Sequence, residues 1–333
     1  MRAVSLKTGL RRVFMSKNTK GVMILLTAAL IWGMSFPAQD IVIDHHVGAF
    51  TFNCIRSFMA AALLLAIQFA RMRRGSLQAS LPDGGRSEGP KIFCQPRRMV
   101  LAAGILCGIA LFCGITFQQY GMELYPEGAA SSGRAGFLTS VYVIIVALFS
   151  FFTAKKPKPI VVAAAFVCLI GMYMLCLAGG ISGIYAGDVF MLIAAFGFSA
   201  QIMLIDHFSR IDGLTVSGMQ FLVCGILSLI GTIAADDVNW ADVASVIIPL
   251  LYCGIGSSAG GYTLQIIGQK YADPAPASIA MSMESVFSGI GGWILLGQTM
   301  SGRELSGCAL VFASVIMTQI PSFFRRTLPA AKQ

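Results

Sequence analysis

The residues best suited to chemistry in this sequence are a few charged and amide side chains inside long apolar stretches. Glu284 is the clearest case, because it stands near the middle of Met281–Gly297, a stretch of the length that crosses a bilayer. At 1.5 Å per residue it lies about 14 Å below the nearer membrane surface. An ionisable group at such a depth generally faces the interior of a helix bundle and marks a path for a substrate or a proton. The alternative is a purely structural hydrogen bond or ion pair that fixes helix packing.

A lone charge is not expected at that depth, because desolvation favours the neutral carboxylic acid. Glu284 should therefore be protonated and hydrogen-bonded to a hydroxyl or a glutamine, or ionised beside a cation. Arg134 is the nearest candidate cation, and an arginine in a cavity also suits a carboxylate-bearing substrate through bidentate pairing. Arg56 is a weaker candidate for the same cavity. Either arginine could instead extend its long side chain outward to the membrane surface.

Amide, hydroxyl and aromatic side chains complete the candidate site. Gln118 and Gln265 occupy corresponding places in two similar stretches, and each is expected either to bond a neighbouring helix or to contact a substrate. The predicted substrate-binding residues are Trp32, Ser35, Gln118, Arg134, Thr139, Tyr142, Gln201, Tyr262, Gln265 and Glu284.

Motifs for catalysis or for a cofactor are missing from the sequence. It contains no Ser/His/Asp set, no phosphate-cradling loop with a lysine and no H-E-x-x-H. The nine cysteines form no C-x-x-C pair, and eight of them lie in apolar stretches, where cysteine acts as a small hydrophobe. Asp44, His45 and His46 form a D-H-H run without further ligands. We therefore expect no enzyme activity, no cofactor, no metal site and no disulfide framework.

The composition identifies the environment that these residues occupy. Of the 333 residues, 56% are hydrophobic and only 12% are charged, whereas soluble domains contain about 25% charged residues. The mean hydropathy is +0.77. A water-soluble domain of this length could not hide so much apolar surface, and the chain is therefore predicted to be an all-α integral membrane protein.

Runs of roughly 20 mainly apolar residues predict ten transmembrane helices. Residues 1–20 are expected to form an uncleaved cytoplasmic segment, Arg71–Arg98 a flexible loop, and residues 324–333 a cytoplasmic tail. The predicted spans are Gly21–Gln39, Ala49–Ala70, Met99–Gln119, Gly128–Phe152, Ile160–Leu177, Gly187–Asp206, Leu214–Ala235, Val243–Gly268, Ala275–Leu296 and Leu305–Phe323.

Basic residues predict the orientation of these spans. If both termini are cytoplasmic, 21 of the 24 lysines and arginines lie on the inside. The net charge of +9 then belongs to loops that face anionic lipid, and it requires no nucleic-acid partner.

The two halves of the chain resemble each other. "GITFQQYG" at Gly114–Gly121 is echoed by "GYTLQIIG" at Gly261–Gly268, and "WGMS" at Trp32–Ser35 by "FGFS" at Phe196–Ser199. Five spans in each half would insert the second half upside down relative to the first. Such inverted-topology repeats are typical of secondary transporters with a binding site near the midplane. The glycine-rich Gly254–Gly261 favours close helix packing, with a locally unwound segment as the alternative.

Several stretches resemble the EamA-type branch of the drug/metabolite transporter superfamily. They are "AALIWGMSFPAQ", "GRAGFLTSVYVIIVALF" and "SMESVFSGIGGWILLGQTMSGRELSGCALVFASV". The resemblance implies ten spans in two repeats, residues 21–178 and 187–323, in the inner membrane of a bacterium. It also implies an exporter of amino acids or other small metabolites. Ser285 stands where the family usually has proline and Gln298 where it has glutamate, and the missing proline argues against a kink at that point.

Three functions agree with these observations. The first is a secondary transporter, an exporter of a small amphipathic metabolite, with protons as a candidate coupling ion and one chain sufficient to enclose the path. The second is a membrane-embedded enzyme that processes lipids or isoprenoids. The third is a sensor or partner subunit that transports nothing.

Overall fold

The computed structural model describes residues 17–79, 97–125, 131–177, 184–296 and 301–327. Its regular structure within these ranges is entirely helical. The α-helices, in chain order, are α1 (Lys17–Gly33), α2 (Ser35–Asp44), α3 (Ala49–Ala79), α4 (Arg97–Glu123), α5 (Ser131–Thr139), α6 (Tyr142–Ser150), α7 (Pro159–Cys176), α8 (Ala186–His207), α9 (Gly213–Ala235), α10 (Trp240–Ser245), α11 (Ile247–Leu251), α12 (Tyr262–Gln269), α13 (Pro274–Met281), α14 (Met283–Leu296) and α15 (Gly302–Thr327).

Seven helical stretches in the described ranges are long and apolar enough to cross a membrane. One of them joins α1 and α2 into a single stretch, and Ala135–Ser150 is a shorter apolar helix. The prediction of an all-helical, multi-pass membrane protein is thereby confirmed. The long stretches are Asn18–Asp44, Ala49–Arg74, Arg97–Glu123, Pro159–Cys176, Ala186–His207, Gly213–Ala235 and Gly302–Ile320.

Several helices extend past the predicted spans, among them α3 and α1. α3 continues to Ala79, so the first nine residues of the predicted flexible loop Arg71–Arg98 are helical. α1 begins at Lys17, inside the segment 1–20 that was expected to precede the first span. In both places basic residues end the apolar run, but lysine and arginine are good helix formers, and the helix therefore outlasts the hydrophobic pattern. Residues 80–96 and 328–333 lie outside the described ranges.

Four predicted spans are interrupted rather than continuous. The breaks fall at Met34, at residues 140–141, at Val246 and at Ser282. At Ser285 itself the helix is continuous, as the missing proline suggested, and the ninth span breaks three residues earlier, at Ser282. The Ser282 hydroxyl donates to the Ile279 carbonyl at 2.8 Å, a bond that competes with the helical ladder and tends to bend a helix.

The predicted eighth span, Val243–Gly268, also contains a distortion. Tyr252–Gly261 is π-helical and leads directly into α12. The segment is closely packed as well: a Cβ on Gly261 would collide with Nε1 of Trp32. That indole nitrogen donates to the Ser257 carbonyl at 3.2 Å. The glycine-rich stretch therefore allows a neighbouring helix to approach, as favoured, and it is π-helical rather than unwound.

The long helices pack mainly against helices from the other half of the chain. α3 packs against α9, α4 against α8, α7 against α15, and α1 against α12 and α14. Glycines permit the closest of these crossings. A Cβ on Gly197 of α8 would lie 2.6 Å from the backbone nitrogen of Gly114 in α4, and a Cβ on Gly307 of α15 would lie 2.7 Å from the Gly171 carbonyl in α7. The closely packed helix pairs surround the polar cavity that is described below.

Candidate functional site

A cavity of about 60 Å³ lies between the interrupted helices. Both halves of the chain contribute to its wall, and the breaks at Met34 and Ser282 stand next to residues that line it. The lining residues are Trp32, Ser35, Phe36, Gln39, Arg56, Gln118, Thr139, Tyr142, Phe198, Gln201, Ile202, Ser257, Tyr262, Gln265, Met281 and Glu284.

Nine of the ten predicted site residues line this cavity. The tenth, Arg134, belongs to α5, and its side chain lies outside the described part of the structure. That these residues bind a substrate stays a prediction. The nine that meet at the cavity are Trp32, Ser35, Gln118, Thr139, Tyr142, Gln201, Tyr262, Gln265 and Glu284.

Glu284 is the second residue of α14, directly after the break at Ser282. Its side chain is half-buried because it faces the cavity. Among the described residues its carboxyl group has neither the hydrogen-bond partner nor the neighbouring cation that the sequence led us to expect. Because the carboxyl group faces the cavity, water or a ligand there can form its hydrogen bonds in place of a protein partner.

The glutamines connect the helices around the cavity. Gln265 Nε2 donates to Gln201 Oε1 at 2.9 Å, and Gln201 Nε2 lies 3.4 Å from both Gln265 Oε1 and Gln220 Oε1. Gln118 Nε2 donates to Thr139 Oγ1 at 3.4 Å. Bonding between helices, one of the two predicted roles of Gln118 and Gln265, is thus observed. It does not exclude the other role, because both side chains also line the cavity.

Aromatic side chains form the apolar part of the wall. The rings of Trp32 and Tyr262 are 4.8 Å apart at an angle of 56°. The ring of Phe221 lies nearly perpendicular to that of Tyr262 at 5.4 Å. These two ring contacts restrict the orientation of Tyr262, and the hydrogen bond to Ser257 does the same for Trp32. The cavity therefore combines a rigid aromatic surface with amides and one carboxyl group, which suits an amphipathic ligand.

Several lining residues were not among the predicted site residues. Gln39 and Phe198 could have been found from helical spacing, because they lie four residues after Ser35 and three before Gln201. Arg56 had been considered only as a weaker candidate. Met281 and Ile202 carry no signal in the sequence, since apolar residues in apolar helices are indistinguishable before the helices are packed.

Metal-binding side chains do not gather in the described part of the chain. No three His, Cys, Asp or Glu residues there come together in a way that could hold an ion. The eight cysteines within those ranges are all free.

Fold and site together define a multi-pass helical membrane protein whose broken helices surround a buried polar cavity. Residues 19–177 and again residues 185–320 match the EamA-like transporter family, and the chain belongs to this family of the drug/metabolite transporter superfamily. The membership indicates a transporter rather than an enzyme.

Similar proteins agree with this membership. An "Uncharacterized transporter" of Archaeoglobus fulgidus is 28% identical over 89% of this chain and 84% of its own length. The "Uncharacterized inner membrane transporter YicL" of Salmonella typhimurium is 25% identical over 95% of this chain and its full length. A solved structure titled "Crystal structure of protein" has the same fold, with a TM-score of 0.73, 21% identity and coverage of 93% of this chain and 100% of its own.

Proposed function

We propose that the protein is a secondary active transporter that exports a small metabolite, such as an amino acid or a related amphipathic compound. The observation that carries this proposal is the cavity, lined by both halves of the chain, in which Glu284 has no partner among the described residues. The small volume favours a small metabolite over a large drug-like molecule, because about 60 Å³ has room for only a few water molecules in this conformation.

The proposed mechanism is alternating access between two inverted five-helix repeats, residues 21–178 and 187–323, with ten spans in all. Two observations support it. The family matches the chain twice, once in each half. The helix contacts also have the symmetry expected of two related halves. The contact of α4 with α8 has its counterpart in that of α12 with α1, and the contact of α1 with α14 has its counterpart in that of α8 with α6. Such architecture places the binding site between the repeats.

In this mechanism the predicted site residues contact the substrate. Glu284 would accept the ammonium group of an amino acid or a proton, and the amides would orient the polar end. Trp32, Tyr142 and Tyr262 would hold the apolar end, and Arg134 was predicted to receive a carboxylate. Protons are the proposed coupling ion because the carboxyl group is the ionisable acid of the cavity wall. One chain suffices for this mechanism.

Transport by the purified protein tests the proposal. The full chain is reconstituted in liposomes, and uptake of a panel of radiolabelled amino acids and small amines is followed with and without an imposed pH gradient. We expect gradient-dependent accumulation of at least one compound above the level in protein-free liposomes. If no compound in the panel moves faster than in protein-free liposomes under either condition, the proposal is wrong.

The proposed orientation, with both termini and residues 80–96 in the cytoplasm of an inner-membrane protein, leads to a labelling prediction. In a variant without native cysteines, a cysteine at Ser87 should resist an impermeant thiol reagent in intact cells and react after permeabilisation. A cysteine at Asp237, which is exposed after α9, should react in both cases. The reverse pattern would refute the orientation.

A further inference from the structure

Arg56 is a buried cation without an anionic partner among the described residues. Its side chain is only 4% exposed, yet it lines the cavity. Its buried Nε has no hydrogen-bond partner, and no carboxylate of the described residues lies within 4.0 Å of its guanidinium group. A buried arginine normally pairs with a carboxylate, because an uncompensated ion in a protein interior costs several kcal/mol.

The surroundings of Arg56 compensate its charge only in part. The guanidinium carbon lies 4.9 Å from the centre of the Phe52 ring, within the range of a cation–π contact. The side chains of Cys224, Cys253 and Tyr262 are among its other electrostatic neighbours. None of these is an ordinary anion at neutral pH. The stacking on Phe52 fixes the side chain in place but leaves its charge unmatched.

Glu284 does not supply the missing charge. It lines the same cavity, but the two groups form no ion pair, and Glu284 itself is unpartnered among the described residues. The cavity wall therefore presents one guanidinium group and one carboxyl group at separate places. Each is free to bind a complementary group of a ligand.

We propose that Arg56 is the residue that recognises the anionic end of the substrate, and that this end is a carboxylate. The inference rests on the proposed transport function and assigns to Arg56 the role that the sequence had suggested for Arg134. A carboxylate fits better than a phosphate group. Its single charge matches one guanidinium in bidentate geometry, whereas a phosphate carries about −1.5 to −2 charges and would remain partly uncompensated.

Binding of small carboxylates to the purified full-length protein tests this role without requiring transport. The probes are sodium acetate, propionate and butyrate, each compared with its neutral amide and with sodium chloride at equal concentration. We expect the carboxylates to raise the melting temperature in a saturable manner, because a ligand that binds only the folded state stabilises it. The amides and chloride should give no saturable rise.

Three variants separate Arg56 from general charge effects. Arg56→Gln should abolish the rise, and Arg56→Lys should weaken the apparent Kd about tenfold, since lysine keeps the charge but loses the second parallel hydrogen bond. The matched control is Arg71→Gln on the same helix, because Arg71 is 44% exposed and pairs with Asp212 at 3.7 Å. It should bind the carboxylates as the wild type does. If Arg56→Gln does not fold, the shift in Kd of Arg56→Lys decides the question.

The proposal is overturned by a rise of equal size with the amides, by a rise that persists in Arg56→Gln, or by an unchanged Kd in Arg56→Lys. The absence of any rise with the wild type would also overturn it, because Arg56 would then be neutralised within the protein. Failure of the transport function gives a different result: the carboxylates would still bind through Arg56, but no compound would cross the liposome membrane.

Discussion

Glu284→Gln should abolish gradient-driven transport and leave the protein folded. The amide keeps the size of the side chain but cannot release or accept a proton, so any step that depends on exchange at this position stops. Stability should be unchanged or slightly higher, because the wild-type carboxyl group has no partner among the described residues and a neutral amide is easier to bury. The measurements are uptake into proteoliposomes across a range of pH and the melting temperature of the same preparations.

A matched control distinguishes this effect from a general loss of negative charge. Glu304 stands outside the cavity at the start of α15, where its Oε2 accepts from the Ser301 backbone nitrogen at 2.6 Å. Glu304→Gln retains an acceptor oxygen and should transport at the wild-type rate with the wild-type pH dependence. Equal transport by wild type and Glu284→Gln at every pH would end the coupling hypothesis and leave Glu284 with a structural role or a role in substrate binding.

The positions of most long helices could be predicted because bilayer thickness sets the length of an apolar run. The sixth predicted span, Gly187–Asp206, differs by one residue at each end from α8, Ala186–His207. α3 departs further, because its helix continues past the apolar run into basic residues that favour helical structure equally well. The hydrophobic pattern therefore located the part of a helix that meets lipid, and not the whole helix.

The interruptions within helices could not be predicted from single residues. Ser282 bonds to the carbonyl three residues earlier where its helix breaks, but Ser314 makes the same bond inside the continuous α15. The local hydrogen bond permits a break, and packing against other helices decides whether one forms. For the same reason the absence of a proline at Ser285 carried little information.

The candidate site was easier to predict than the breaks because polar groups are costly against lipid and so turn toward the bundle interior. From this rule alone, without the helix packing, Gln118, Gln201 and Gln265 could be predicted to face the bundle interior, and all three line the cavity. It gave no basis for preferring Arg134 to Arg56, since depth along a helix does not tell which way a long side chain extends. Only the packed structure shows that Arg56 lines the cavity.

Gly33→Ala should both destabilise the protein and impair transport, because Gly33 is where α1 meets the Glu284 region. A Cβ there would lie 2.5 Å from the backbone oxygen of Glu284, 2.8 Å from Cβ of Phe287 and 2.9 Å from the backbone nitrogen of Ser288. Backbone atoms cannot rotate away as a flexible side chain can. α1 and α14 must separate, at a cost typical of overpacking, about 1–3 kcal/mol.

The matched control is Gly302→Ala at the start of α15, where an added Cβ meets no atom within 4 Å. Alanine is the better helix former, so this variant should be as stable as the wild type or more stable, by up to about 1 kcal/mol. Melting temperatures in detergent compare the two variants, and uptake is measured at a temperature at which both are folded. Because the separation of α1 from α14 moves the backbone that carries Glu284, uptake by Gly33→Ala should fall even where the protein remains folded. If Gly33→Ala matches Gly302→Ala in both measurements, the close contact between α1 and α14 is not a feature of the protein in its membrane.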